Sequence, residues 1–213
     1  MRILIVTATS FEIEPLRNKI MLDKPKHQID FLETGVGATQ TCFHLLNRLN
    51  QNHYDLVINA GIAGAFDTNK HPIGAVLEIQ KDRFGDLGAE FADGNFEDVF
   101  ELGLANDNQL YTDGWLVNPD CGTEFPLVDA LTVNKVSGSH QSALQLKRKY
   151  NADLESMEGA AVAYTCINLK VPFRQVRSVS NKIENRDRSK WDIPLAITSL
   201  NQKLHQIILK LDP

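Results

Sequence analysis

The chain has 213 residues, 43% of them hydrophobic, enough for one sizeable core and pointing to a single domain over residues 1–213. Its formal net charge of −5 lacks the basic excess of a phosphate-backbone binder, and no stretch approaches the roughly 20 apolar residues of a membrane-spanning helix, so neither nucleic acid nor membrane is an expected partner. Cys42, Cys121 and Cys166 are far apart and the six histidines are scattered, which suggests neither a disulfide framework nor a zinc site; no metal or cofactor is expected, and a reducing cytoplasm fits best.

Arg2 to Ala8 is a β-branched run of the kind buried on both faces of a parallel sheet, and it is too short for a signal-peptide core. Thr9-Ser10-Phe11-Glu12 fits a capping box, with Thr9 capping, Glu12 reaching back, and Phe11, Leu16 and Ile20 on the apolar side of the helix. Gln28 to Glu33 is a weaker strand. Thr34-Gly35-Val36-Gly37 closes it before a helix over about Ala38 to Asn50, and its two glycines let backbone approach a ligand. Asp55 to Ala60 is a third strand, ending in a loop of small residues, Gly61-Ile62-Ala63-Gly64-Ala65.

Gly74 to Gln80 reads as a strand and Asp82 to Glu90 as a polar loop. Residues 91–128 lack periodicity and read as an excursion from the sheet with short local elements. Leu131 to Val136 returns to strand character, and Ser139 to Tyr150 is a helix with Leu144 and Leu146 inside and a solvated Lys147-Arg148-Lys149 end. Around Glu158 a short strand meets the small-residue helix start Gly159 to Ala163. That junction either holds a carboxylate at the open sheet edge or supplies an acid to complement the helix dipole. Phe173 to Val179 is the last strand and delivers Ser180-Asn181 to the sheet edge. After a polar loop from Lys182 to Lys190, the stripe Trp191, Ile197, Leu200, Leu204, Ile207, Ile208 and Leu211 marks a core-facing helix. Strands alternating with helices throughout predict an α/β fold, a three-layer α/β/α arrangement around a twisted, mixed, mostly parallel sheet.

Glu12, Glu158 and Asn181 then fall at the carboxyl ends of strands, where open α/β sheets bind ligands. Two carboxylates and an amide beside glycine-rich loops suit a polyhydroxylated, uncharged substrate. The sequence has no GxGxxG after the first strand, no GxxxxGK[ST] and no GxSxG, which weakens dinucleotide, triphosphate and acyl-hydrolase readings.

Four motifs, in order, resemble the purine nucleoside phosphorylase and nucleosidase superfamily. Glu155-Ser156-Met157-Glu158-Gly159-Ala160-Ala161 is similar to its ribose-binding motif and Asn59-Ala60-Gly61-Ile62-Ala63-Gly64 to its central glycine loop, while Gly35-Val36-Gly37 and Ser180-Asn181 match its other markers. The resemblance covers nearly the whole chain apart from about residues 92–125. Asp86 to Glu90, Thr132-Val133-Asn134 and above all Ser180 to Trp191 are similar to one hydrolytic branch, whose substrate joins a 6-oxopurine riboside to a carboxyphenyl group.

The resemblance implies an N-ribosyl hydrolase acting on a small-molecule nucleoside without a cofactor, and a homo-oligomer, at least a dimer. Glu158 would bind the ribose 2′- and 3′-hydroxyls, Met157 would pack on the sugar, and Glu12 would activate water. Asn181, beside Ser180, would hold the base, with Gly37, Gly61, Ile62 and Ala63 completing the substrate-binding wall. The phosphorolytic branch is expected to carry an arginine-bearing loop after the first strand, whereas an acid at position 12 would repel phosphate. Ser139-His140-Gln141 lacks the aromatic that methylthioadenosine nucleosidases stack on the base, leaving Phe84 as a candidate. Lys182, Arg83 and Arg186 are candidate cations for the carboxyphenyl end. The alternatives are a methylthioadenosine/S-adenosylhomocysteine nucleosidase, a purine nucleoside phosphorylase, and a nucleoside-binding protein without turnover. The presence of both Glu12 and Glu158 argues against the last.

Overall fold

The computed structural model describes residues 1–23, 25–107 and 110–211. Strand β1 (Arg2–Thr7) leads through helix α1 (Ser10–Asp23) to β2 (Gln28–Glu33), and α2 (Ala38–Gln51) leads to β3 (Leu56–Ala65). β1 lies between β2 and β3, parallel to both. The alternation of side chains along β1 divides the core. Ile3 and Ile5 pack against α1 and against α5 (Ile193–Lys210), while Leu4 and Val6 pack against α2 and α4 (Gly159–Leu169). The residues of both clusters are almost fully removed from water, at about 1.5–3 kcal/mol for each large aliphatic side chain.

The remaining strands bend the sheet into a ring. β4 (Val76–Phe84), β8 (Leu127–Thr132), β9 (Leu154–Ser156) and β10 (Phe173–Lys182) follow in the chain, with α3 (His140–Tyr150) between β8 and β9. β10 runs parallel to β3 and antiparallel to β4, β4 pairs with β8 and β8 with β9 in parallel, and β9 returns antiparallel to the far end of β3. The order β3-β10-β4-β8-β9-β3 is therefore closed. The ring is possible because β3 is long: one edge pairs with β10 from Val57 to Ala65, while the other serves β1 as far as Asn59 and β9 at Gly64 and Ala65.

Several local expectations change. Gly61 to Ala65 is strand, because partners on either side satisfy the backbone despite the small side chains. Asp82 also belongs to a strand, since β4 runs on to Phe84. The polarity of that stretch comes from Asp82 and Arg83, both buried. β8 begins at Leu127 and ends at Thr132, which frees residues 133–139 to turn toward the cleft described below. In α3 the buried face carries Ala143 and Tyr150, while Leu144 is exposed. Phe11 is exposed rather than packed with Leu16 and Ile20. Trp191 precedes α5 and leaves its core stripe. The excursion contributes β6 (Phe96–Asp98), which pairs with β5 (Gly88–Glu90), and β7 (Leu116–Val117), which pairs with β4. Among the described residues no helix is long and apolar enough to cross a membrane.

Candidate active site

The ends of β1, β3, β9 and β10 converge on a cleft of about 500 Å³. Glu12, Ile62, Ala63, Met157, Glu158, Ser180 and Asn181 all line it. Gly37 and Gly61 stand just behind the wall, each acting through a carboxylate.

Glu12 sits in the first turn of α1 and is 9% exposed. Its Oε2 accepts hydrogen bonds from Thr7 Oγ1 at 3.0 Å and from Thr9 N and Oγ1 at 3.2 Å, and its Oε1 accepts one from the Ile62 amide at 3.1 Å. The reach back to Thr9 N is half of a capping box; the Thr9 hydroxyl, which would complete it, donates to the same carboxylate instead. One carboxylate thus caps a helix and faces the cleft. A β-carbon on Gly61 would come within 3.0 Å of Glu12 Oε1, so glycine there leaves room for the acid.

Glu158 is the N-cap residue of α4, at the turn out of β9. Gly37 donates its amide to Glu158 Oε1 at 3.0 Å. Gly37 has φ 96° and is itself the N-cap of α2, a left-handed conformation that glycine adopts without strain and that aims a free N–H across the cleft. Burial holds the Glu158 carboxyl above the usual range, opposed by the Gly37 amide and the positive charge of Arg177 and reinforced by the nearby Glu12 charge. Asn181 Oδ1 lies 2.8 Å from the Ser180 hydroxyl, and its Nδ2 donates to the Lys182 carbonyl at 3.0 Å. One amide hydrogen and one acceptor lone pair of Asn181 remain for a ligand.

Three supporting groups escaped the sequence reading. Arg177, 2% exposed, spends its guanidinium on Asn59 and on the Val176 carbonyl, and its charge acts on Glu158 from below the cleft. The signal was available, a charged residue in the middle of an apolar strand. Asp82 is wholly buried, and burial, eased by its Thr132 hydrogen bond and the Arg177 charge, pushes its carboxyl up to about 7. Asp82 Oδ2 and Gln175 Oε1 both reach within 3 Å of the point a β-carbon on Gly159 would occupy, at 2.1 and 2.5 Å, and neither has a hydrogen-bond partner among the described residues. Glu155 anchors the loop after β8 by accepting from Ser137 N and Oγ at 2.8 and 2.7 Å, which brings Val136 and Ser137 to the cleft wall.

The other candidates are redistributed. Phe84 packs against the α2–α4 side of the core, away from the cleft; the aromatics at the cleft are Phe11 and Trp191. Arg83 is buried, paired with Asp98 at 2.7 Å and seated over the Tyr150 ring at 4.4 Å, so it is committed elsewhere. Lys182 pairs with Glu184 and Arg186 lies over Trp191. Among the described residues no group of three or more His, Cys, Asp or Glu side chains is placed to hold a metal ion.

Carboxylates and an amide gathered at the ends of strands in a closed mixed sheet suit a small, polar, polyhydroxylated ligand. Residues 130–211 match the model described as the Phosphorylase superfamily. Of solved structures, the chain is similar to 5′-methylthioadenosine/S-adenosylhomocysteine nucleosidase from Neisseria meningitidis in complex with methylthio-immucillin-A, with a TM-score of 0.81 at 18% identity over 99% of both chains. It is also similar to futalosine hydrolase of Helicobacter pylori, with a TM-score of 0.77 at 15% identity over 99% of this chain and 98% of the other. Both likenesses establish the fold. Futalosine hydrolase of Acidothermus cellulolyticus is 32% identical, covering 92% of this chain and 86% of the relative. That of Streptomyces coelicolor is 31% identical, covering 97% and 95%. The chain belongs to the futalosine hydrolase family.

Proposed function

We propose that the protein hydrolyses the N-glycosidic bond of futalosine, releasing hypoxanthine and dehypoxanthine futalosine, the nucleosidase step of the futalosine route to menaquinone. The observation that carries this reading is the pairing of Glu12 and Glu158 in one cleft with Asn181. Glu158, with one oxygen tied to Gly37, offers the other to the ribose diol, where charge-assisted hydrogen bonds orient the ring, and Met157 packs on the sugar. Glu12 Oε1, which among the described residues accepts only from the Ile62 amide, keeps a lone pair to hold water and accept its proton. As the bond between C1′ and the purine nitrogen breaks, its electrons pass to the base and positive charge develops on the ribosyl group. Two carboxylates fixed in the cleft stabilise that charge. The water oxygen then bonds to C1′ as Glu12 takes its proton, and the departing base, held by hydrogen bonds from Asn181, takes up a proton from solvent to leave as hypoxanthine.

Asn181 sets the base. Its amide can donate to N7 or O6 of hypoxanthine, where an ionised aspartate would set lone pair against lone pair. The protein works without a cofactor, in the cytoplasm, as a homo-oligomer. The test is incubation with futalosine, aminodeoxyfutalosine, inosine and methylthioadenosine, with and without phosphate. Hypoxanthine released from futalosine without any need for phosphate supports the reading, and Asn181→Asp should move the preference toward adenine. Wild-type preference for adenine replaces it with a methylthioadenosine nucleosidase, while the same strong preference for hypoxanthine in both proteins leaves the reaction standing and removes Asn181 as the residue that sets the base.

A further inference from the structure

Among the described residues the cleft is lined by three carboxylates, from Glu12, Glu155 and Glu158, and by a single cationic side chain, that of Arg188. Arg188 lies in a short 3-10 turn, Arg188–Lys190, between β10 and α5. This segment folds back over the end of β10, where the Asp192 amide donates to the Ser180 carbonyl at 3.0 Å. The fold-back sets Trp191 and Ile193 into the wall beside Asn181, with Arg188 next to them. The other basic groups of the segment are engaged. Glu184 takes both Lys182 and Lys190, at 3.4 and 3.1 Å, and the Arg186 guanidinium lies 5.1 Å from the Trp191 ring centroid. The Arg188 side chain has no hydrogen bond, ion pair or ring contact among the described residues.

A lone guanidinium at the rim of an acidic cleft does not suit the ribose, which asks for acceptors, or a neutral purine. It suits an anionic substituent carried beyond the sugar. Arginine presents a planar fork that matches a carboxylate with two parallel hydrogen bonds, and Trp191, Ile193 and the exposed ring of Phe11 supply an apolar wall for an aryl group. We propose that Arg188 is the specificity-determining residue that binds the carboxylate of an aryl carboxylate attached to the nucleoside, with Trp191 and Phe11 flanking the ring. This inference rests on the futalosine reading and names the group that separates such a substrate from a plain nucleoside.

The experiment compares wild type, Arg188→Gln and Lys190→Gln on futalosine, futalosine methyl ester and inosine. Arg188→Gln should raise the KM for futalosine about ten- to hundredfold, leave kcat close to wild type, and leave kcat/KM for the ester and inosine within about twofold. Lys190→Gln should match wild type on all three. An unchanged KM for futalosine in Arg188→Gln overturns the inference and leaves the function standing, as does an equal loss on all three substrates. Wild type that leaves futalosine uncut while cleaving inosine overturns both.

Discussion

Glu12 is gripped from three directions, by Thr7, Thr9 and Ile62, and all of these groups donate. Glutamine in its place can accept on one oxygen only, so its NH₂ must confront a donor. Glu12→Gln is therefore expected to fold, to lose about 1–3 kcal/mol of stability, and to lose about 10² to 10⁴ in turnover, because an amide cannot take the proton of water. Near-normal turnover would reduce Glu12 to its capping role. Asp82 makes a different statement. Its folded carboxyl titrates near 7 against an ordinary value of 3.8, so the folded protein holds a proton that the unfolded chain releases. The stability this contributes is complete below about pH 4 and is lost as pH rises to about 7, of the order of 4 kcal/mol over that window. Asp82→Asn stays neutral and can donate to the orphaned Gln175 oxygen. Its melting temperature should exceed that of wild type at pH 8, with the gap closing toward pH 4. A pH-independent gap would show that Asp82 is charged throughout.

At the scale of elements, α1 and α5 share an apolar core, and one α5 side chain, Asn201, also ties into the backbone of α1. Beside Pro15, the Leu16 amide donates to Asn201 Oδ1 at 2.9 Å and Asn201 Nδ2 donates to the Glu12 carbonyl at 2.9 Å. A carboxamide from α5 thus stands in for the ordinary helical bond between residues 16 and 12. Asn201→Leu removes both links, and α1 can recover only by closing on itself and shifting Glu12. We expect kcat to fall about 10- to 100-fold, in line with the sensitivity of catalysis to displacements near 1 Å, with KM for the riboside little changed. A stability loss with kcat intact would show that the bridge only staples the helices. Nothing in the sequence announced this bridge, since Asn201 occupies an unremarkable position in a helical stripe. What the sequence did disclose was local. The β-branched run of β1, the glycines that precede α2, and the strand-to-helix junction at Glu158 each carry their signal in a few adjacent residues. The spacing of Trp191 fits the α5 stripe, and only the fold-back onto Ser180 removes it to the cleft. Gly61 to Ala65 looked like a loop because small residues carry no strand signal, and only partners far along the chain make it a strand.

For the molecule as a whole, the region after β4 leaves Leu87, Phe91, Leu104, Val117 and Leu127 exposed, apolar side chains that a second copy of the chain can cover. We expect at least a dimer by light scattering at micromolar concentration, with a two-fold interface that uses this region. A fully active monomer would contradict it. Closure of the sheet on β3 also orders events during synthesis. Residues 60–65 leave the ribosome with one edge lacking β10 and the other lacking β9, and both partners are encoded about a hundred residues later. At ordinary translation rates that wait is on the order of ten seconds. Throughout it the nascent chain displays unpaired, apolar strand edges of the kind that template aggregation. The protein's most exposed moment therefore comes before its cleft exists, and its yield in a cell should depend on what shields β3 until β10 arrives.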